Sequence, residues 1–241
     1  MAQDLAYIAL GMVETRGLIG AIEAADAMDM STVLDAVRDR PGPVYVRGLR
    51  GLVPRLFAEP LRIGQSRRLA RGDQGDEVLV IVAGHLTAMT WAVVTEERAR
   101  FPGLGAVCVS TLKPFGDDEL IESINGARVV ITVADHLLCS GLGAAVSAHV
   151  ARVGGPRVVT IGIRDTFTHG GSPDYLQRYY GIDADHVRQA IAAAFGRTDK
   201  TTRAGADRND GTGTGPALTV ATGERPRGHD ESLTPAVAEG L

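Results

Sequence analysis

The stretch that decides the fold is Arg128–Pro173, which reads RVVITVADHLLCSGLGAAVSAHVARVGGPRVVTIGIRDTFTHGGSP. Two runs rich in β-branched residues, Arg128–Val133 and Arg157–Ile163, are typical of buried strands. Between them, a turn of small residues leads into an alanine-rich helix that begins near Gly141. A strand, a crossover helix and a second strand in this order predict a parallel strand pair.

The same alternation of strands and helices extends in both directions from this stretch. Upstream, Glu77–Ala83 and Ala106–Ser110 read as strands. Helices are predicted at His85–Phe101 and Asp117–Ile124, and the carboxylate of Asp117 is placed to cap the second of them. Downstream, two final helices are expected to cover the sheet, at Pro173–Tyr180 and Ala184–Phe195. The prediction is therefore an α/β fold of three αβα layers around a mostly parallel sheet.

A smaller α/β unit is predicted at the amino-terminal end of the chain. A strand at Leu18–Glu23, a helix at Ala25–Arg40 and a strand at Val44–Arg47 form a βαβ pattern. The segment from Gly48 to Asp76 is irregular, and the last 45 residues contain no aromatic side chain. We therefore divide the chain into a partial α/β domain, a linker, a main domain and a disordered tail, at residues 1–57, 58–76, 77–196 and 197–241.

Composition excludes several classes of function. The chain has 241 residues, 44% of them hydrophobic, and a net charge of −4, which gives no electrostatic reason to expect nucleic acid or an anionic membrane as a partner. Apolar runs such as Val78–Ala83 are too short to span a bilayer. The two cysteines, Cys108 and Cys139, lack CxxC spacing, so we expect no metal site and reduced thiols in a cytoplasmic protein.

Two features of the deciding stretch are candidates for chemistry. A histidine beside a carboxylate, as in Asp135-His136, is a candidate general base. Successive strand residues face opposite sides of a sheet, however, so the two side chains need not interact, and a structural role is favoured. Gly141 and Gly143 resemble a phosphate cradle, but they lack the Lys-Ser/Thr of nucleotide-binding loops. Close packing of helix on sheet explains these glycines better.

Four segments in register resemble the C-terminal domain of the transketolase family. They are EVLVIVAGHLTAMTWAVV (77–94), CVSTLKPFGDDELIESI (108–124), VADHLLCSGLGAAVSAHV (133–150) and IGIRDTFTHGGSPDYLQRYYGIDADHVRQAI (161–191). Upstream, QDLAYIAL (3–10), IEAADAMD (22–29) and RPGPVYVR (40–47) are similar to the last part of that family's pyrimidine-binding domain. The resemblance covers about Ala2 to Phe195 and assigns residues 1–57 to a partial pyrimidine-binding domain.

The chain also departs from the transketolase pattern. It has no Gly-Asp-Gly…Asn segment of the kind that holds a metal and a diphosphate. The family's glutamate that activates the aminopyrimidine of thiamine has no counterpart, and Ala2 stands where the family often has histidine. A partner that supplies the missing segments, a subunit that has lost chemistry, and a start codon further upstream each account for these departures.

The resemblance implies a C-terminal subunit of a split transketolase, inactive without an N-terminal partner subunit, in a homo- or heterodimeric assembly. The partner would bind thiamine diphosphate and Mg²⁺, and the complex would transfer a two-carbon ketol unit from a ketose phosphate to an acceptor. By resemblance Arg47 would bind the substrate phosphate, a task that suits the guanidinium fork. Asp135 and His136 would lie near the site, and no catalytic residue is assigned to this chain.

Two alternative functions remain open from the sequence. The beta subunits of 2-oxo-acid dehydrogenases share this C-terminal domain and would decarboxylate an oxo acid instead. The second alternative is a protein-interaction module without turnover, because fold resemblance alone does not establish activity.

Overall fold

The computed structural model describes residues 20–23, 37–38, 42–48, 54–59 and 62–204, with side chains described for all of these except residues 20–23 and 197–204. Met1-Ala2-Gln3, most of the helix predicted at Ala25–Arg40 and residues 205–241 of the predicted tail lie outside the described residues. Within that helix, Val37 and Arg38 are described, and both are helical.

The described residues form eight strands and five α-helices. In chain order the strands are β1 (Gly20–Glu23), β2 (Val44–Arg47), β3 (Arg67–Ala70), β4 (Val78–Ala83), β5 (Leu104–Val109), β6 (Thr111–Lys113), β7 (Val129–Leu137) and β8 (Arg157–Ile163). The helices are α1 (Thr87–Glu97), α2 (Asp118–Gly126), α3 (Gly141–Val153), α4 (Pro173–Tyr180) and α5 (Ala184–Ala204), and a 3-10 turn at Gly84–Leu86 precedes α1. As predicted, Asp117 caps α2, where its carboxylate accepts a 2.8 Å hydrogen bond from the Leu120 N–H.

The main sheet has five strands in the order β3-β5-β4-β7-β8. All neighbouring pairs are parallel except β3 with β5, which is antiparallel at the edge. The strand β3 lies inside the segment that the sequence assigned to a linker, while that division of the chain stays a prediction. The mostly parallel sheet confirms the predicted α/β class.

The main sheet is covered by helices on both faces, which gives the three predicted layers. Alternate residues of β4 point to opposite sides, with Val80 packed in a cluster that includes residues of α1 and α5. Ile81 packs in the other cluster, with residues of α2 and α3. Only one of the two final helices covers the sheet, because α5 buries Val187 and Ile191 whereas α4 buries no side chain completely. The prediction that both do so was wrong for α4, whose Tyr180 is only partly buried against the core.

A smaller sheet has the order β2-β1-β6. The parallel pairing of β1 with β2 confirms the predicted strand pair, while most of the helix predicted between them lies outside the described residues. The third strand is unexpected, because β6 follows β5 directly and pairs antiparallel with β1, Ile22 opposite Thr111. A segment of the main domain therefore completes the smaller sheet, and the two sheets are tied together by the chain between β5 and β6.

Candidate functional site

The strand order puts a topological switch point at the carboxyl edge of the main sheet, between β4 and β7, the place where open α/β sheets form a crevice. The chain continues from β4 to β5 on one side, whereas β7 lies on the other side of β4. The loop after β4 leads to α1 on one face, and the loop after β7 leads to α3 on the opposite face. In open α/β sheets, ligands bind where neighbouring connections diverge in this way.

The side chain of Arg47 lies against this crevice, although it comes from the smaller sheet. Each of its two terminal nitrogens donates a 2.8 Å hydrogen bond to a different carboxylate oxygen of Asp135, near the end of β7. This is the paired, charge-assisted geometry that suits a guanidinium and a carboxylate. The Arg47 side chain is 35% exposed and that of Asp135 is 18% exposed. Two residues predicted separately as site residues, 88 positions apart, are thus in direct contact.

Asp135 lies in an irregular part of β7. Val133 pairs with Ile161 and Leu137 pairs with Ile163, so four positions of β7 are matched against two of β8. Extra residues of this kind form a bulge, which changes where side chains point. Gly162 accommodates the bulge, because a Cβ at that position would lie 2.8 Å from the His136 carbonyl oxygen. Strict alternation along β7, the basis of the sequence argument, therefore does not hold at this point.

A third residue in the crevice, His85, was predicted from the sequence only as the first residue of a helix. Its Nδ1 lies 3.7 Å from an Asp135 carboxylate oxygen, and its side chain is 16% exposed. His85 follows β4, Asp135 lies near the carboxyl end of β7, and these strands are adjacent in the sheet. The signal missed was that both residues occupy carboxyl ends of strands, where parallel neighbours bring side chains together.

The environment of Asp135 favours the charged carboxylate. Burial by itself would raise the pKa of Asp135, but the hydrogen bonds and positive charge of Arg47 outweigh burial, so the pKa lies below the ordinary aspartate value. Positive charge on His85 and His136 acts in the same direction. Asp135 is therefore ionised at neutral pH, and its role is that of an anion that holds a cation.

The neighbouring residue, His136, has a structural contact. Its Nδ1 accepts a 3.2 Å hydrogen bond from the Leu142 N–H, in the first turn of α3. The residue at the start of that helix, Ser140, makes no capping bond with its side chain, so the imidazole supplies the acceptor. The favoured structural role of His136 has this support, and a part in chemistry stays a prediction.

The glycines of the turn before α3 serve packing. A Cβ at Gly143 would lie 2.3 Å from the Thr160 Cγ2 on β8, too close for any larger side chain. At Gly141, φ is +68° and a Cβ would lie 2.5 Å from the Nδ1 of His136. The predicted close approach of helix and sheet is confirmed.

Another histidine, His169, lies away from the crevice in an exposed aromatic cluster. Its ring is 4.7 Å from that of Tyr179, and its Nδ1 is 3.2 Å from the Tyr180 hydroxyl. Within the described part of the chain, no group of three or more metal-ligating side chains comes together. No described helix has the length and apolar character needed to cross a bilayer.

The Arg47–Asp135 pair predicts an acid-sensitive contribution to stability. The folded-state pKa of Asp135 lies below its unfolded value of about 4, so this contribution is fully present above about pH 4 and is lost as the pH falls through the folded-state pKa. Asp135→Asn is expected to lower the free energy of unfolding at pH 7 by about 1–3 kcal/mol, between exposed and buried ion pairs. Urea denaturation from pH 7 to pH 3 would measure the difference.

The decisive quantity is the gap between wild type and Asp135→Asn, which should shrink on acidification. Asp183 also has a lowered pKa, because the bonds and charge of His186 outweigh its burial, but it is common to both proteins and cancels. A gap that stays constant over this pH range would show that the Asp135 charge does not stabilise the fold.

Comparison with known proteins places this architecture. Residues 68–187 match the family described as transketolase, C-terminal domain. A Methanocaldococcus jannaschii protein whose name describes it as a transketolase C-terminal section is 29% identical over 177 residues, which is 70% of this chain and 54% of that protein. The 6-deoxy-6-sulfo-D-fructose transketolase subunit SqwH of a Clostridium species is 26% identical over 172 residues, or 70% of this chain and 52% of that protein.

A solved structure gives the same result at the level of the fold. A chain described as a split gene transketolase, inactive beta4 tetramer, superposes with a TM-score of 0.67 and 27% identity, covering 73% of this chain and 58% of that one. The chain spans about half the length of the curated relatives it matches.

Proposed function

The chain belongs to the transketolase family through its C-terminal domain, and from this premise we propose that it is one subunit of a split transketolase. With an N-terminal partner subunit it would transfer a two-carbon ketol unit from a ketose phosphate to an acceptor. Two relatives support a divided enzyme, since one is named as a subunit and another is described as the product of a split gene.

The observation that carries this proposal is the position of Arg47. Its guanidinium lies at the carboxyl edge of the main sheet, beside the crevice, and the whole side chain is 35% exposed. A fixed cation at this edge suits a tetrahedral oxyanion such as the terminal phosphate of a sugar. We therefore assign Arg47 to the substrate phosphate, and Asp135 and His85 to its immediate surroundings.

The cofactor is proposed to rest mainly on the partner. Among the described residues no group of three metal ligands comes together, and no residue of this chain is assigned to thiamine diphosphate or Mg²⁺. When bound, thiamine diphosphate supplies the carbanion chemistry, and the share of the protein is positioning and electrostatics. This chain would contribute the phosphate-binding end of the substrate channel and part of the subunit interface, in a cytoplasmic complex.

Reconstitution tests the proposal. The full chain and an N-terminal transketolase subunit from the same organism would be purified separately, mixed with thiamine diphosphate and Mg²⁺, and assayed with a ketose phosphate and an aldehyde acceptor. We expect ketol transfer only when both subunits are present, together with a stable complex in size-exclusion chromatography.

Two controls keep the result specific. Omission of thiamine diphosphate should abolish turnover, and pyruvate in place of the ketose phosphate separates ketol transfer from oxo-acid decarboxylation. Equal activity with and without this chain would contradict a subunit role. A stable complex that turns over neither substrate would favour the interaction module.

A further inference from the structure

We infer that Asp135 is a positioning residue, which holds the Arg47 guanidinium in the orientation that receives the substrate phosphate. This inference rests on the proposed function and goes further, because it assigns the role to a carboxylate that would repel a phosphate directly. The supporting observations are the paired hydrogen bonds, the partial burial of the pair and its place at the crevice.

The outer edge of the Arg47 guanidinium is bound to Asp135, and this contact fixes the orientation of the group. Asp135 accepts one bond from each terminal nitrogen of Arg47, at 2.8 Å. One terminal nitrogen also lies 3.5 Å from the Asp135 carbonyl oxygen. The side opposite the carboxylate is occupied by the side chain's own stem, so a phosphate would approach the guanidinium along one of its flanks. An arginine held in this way loses less conformational entropy when it binds than an unrestrained one.

The carboxylate is itself restrained from two directions. Asp135 lies near the end of β7, within the bulge that Gly162 accommodates. From the other side, the Nδ1 of His85 lies 3.7 Å from its carboxylate oxygen. The guanidinium is therefore held by a residue of the main sheet, although Arg47 itself belongs to the smaller sheet. This explains why the pair links the two sheets at the point where a substrate would enter.

Two opposing effects on phosphate affinity decide the expected result. Loss of the Asp135 charge would remove its repulsion of the phosphate. That repulsion is weak, because solvent screens charges at this partly exposed site. Loss of the paired bonds would release the guanidinium, which lowers affinity for a ligand that needs a fixed fork. If positioning dominates, Asp135→Asn weakens binding, and if simple neutralisation dominates, the same change strengthens it.

The experiment measures binding of D-fructose 6-phosphate to the assembled two-subunit complex by calorimetry, with ketol transfer assayed in parallel. Asp135→Asn is expected to raise the dissociation constant about tenfold, the effect of losing roughly one charge-assisted hydrogen bond. The dissociation constant of Asp135→Glu, which keeps the charge, should fall between those of wild type and Asp135→Asn. In an Arg47→Ala background, Asp135→Asn should have no further effect, since nothing remains to position.

A matched control lies at the opposite edge of the sheet. Asp76, just before β4, is paired with Arg68 and more buried than Asp135, so Asp76→Asn should cost stability and leave sugar-phosphate binding unchanged. Unchanged or tighter binding by Asp135→Asn, an equal effect without Arg47, or no binding by the wild-type complex would each overturn the inference. The complex could also bind the sugar phosphate without catalysing ketol transfer. If Asp135→Asn still weakened binding only when Arg47 is present, the positioning role would be upheld and the proposed reaction rejected.

Discussion

Replacing Gly141 with alanine is expected to destabilise the chain by about 2–4 kcal/mol, from backbone strain and steric overlap acting together. The backbone at Gly141 has a φ of +68°, which costs a residue with a side chain about 1–2 kcal/mol. The added Cβ would also lie 2.5–2.8 Å from three atoms of His136. The ring cannot swing aside without breaking its bond to the Leu142 N–H, so the start of α3 would lose its acceptor.

Gly154, at the other end of the same helix, provides the matched control. Its φ is +70°, nearly that of Gly141, but a Cβ there would meet nothing within 4 Å. Gly154→Ala therefore measures backbone strain alone, expected at about 1–2 kcal/mol. Denaturant unfolding of both variants would separate the two contributions. Equal destabilisation by the two substitutions would mean that the contact with His136 carries no energetic weight.

Replacing Arg47 with alanine in the reconstituted enzyme is expected to lower kcat/KM for a ketose phosphate about 10²–10³-fold. Two charge-assisted hydrogen bonds to phosphate contribute about 3–4 kcal/mol together, and each 1.4 kcal/mol is a factor of ten. Arg47→Lys should retain charge without the planar fork, and its activity is expected to lie between wild type and alanine. The loss should be much smaller with the unphosphorylated sugar, because that substrate never uses the contact.

Arg71→Ala is the control for removal of one positive charge. Arg71 follows β3 near the amino end of β5, on the edge of the sheet away from the crevice, and pairs with Glu119. Its loss should leave kcat/KM unchanged for both substrates. An Arg47→Ala defect of the same size with and without the phosphate would reject phosphate binding and point to a structural role.

The sequence was most informative where hydrophobic pattern determines structure. Every strand of the main sheet except β3 was predicted from a run of buried apolar residues, and β4, for example, is buried along its whole length. The cap at Asp117 and the close packing at Gly143 were also predictable, since each depends on residues near in sequence or on size alone.

Strand order and the contacts it creates could not be predicted in the same way. Nothing in the local pattern says that β7 pairs with β4 and not with β5, and that choice brings His85 beside Asp135. The bulge in β7 depends on Gly162, a residue of another strand. The pairing of Arg47 with Asp135 was hidden for the same reason, because it joins two sheets whose relation only the folded chain defines.

The origin of the third strand of the smaller sheet has a consequence for synthesis on the ribosome. Ile22 in β1 pairs with Thr111 in β6, which is synthesised 89 positions later. Until β6 has been made, it cannot cover the edge of β1 that faces away from β2. At about 5–20 residues per second, that interval lasts roughly 4–18 s for each new chain. An open strand edge is a template for pairing with other chains, so the growing polypeptide is most exposed to misassembly before β6 emerges.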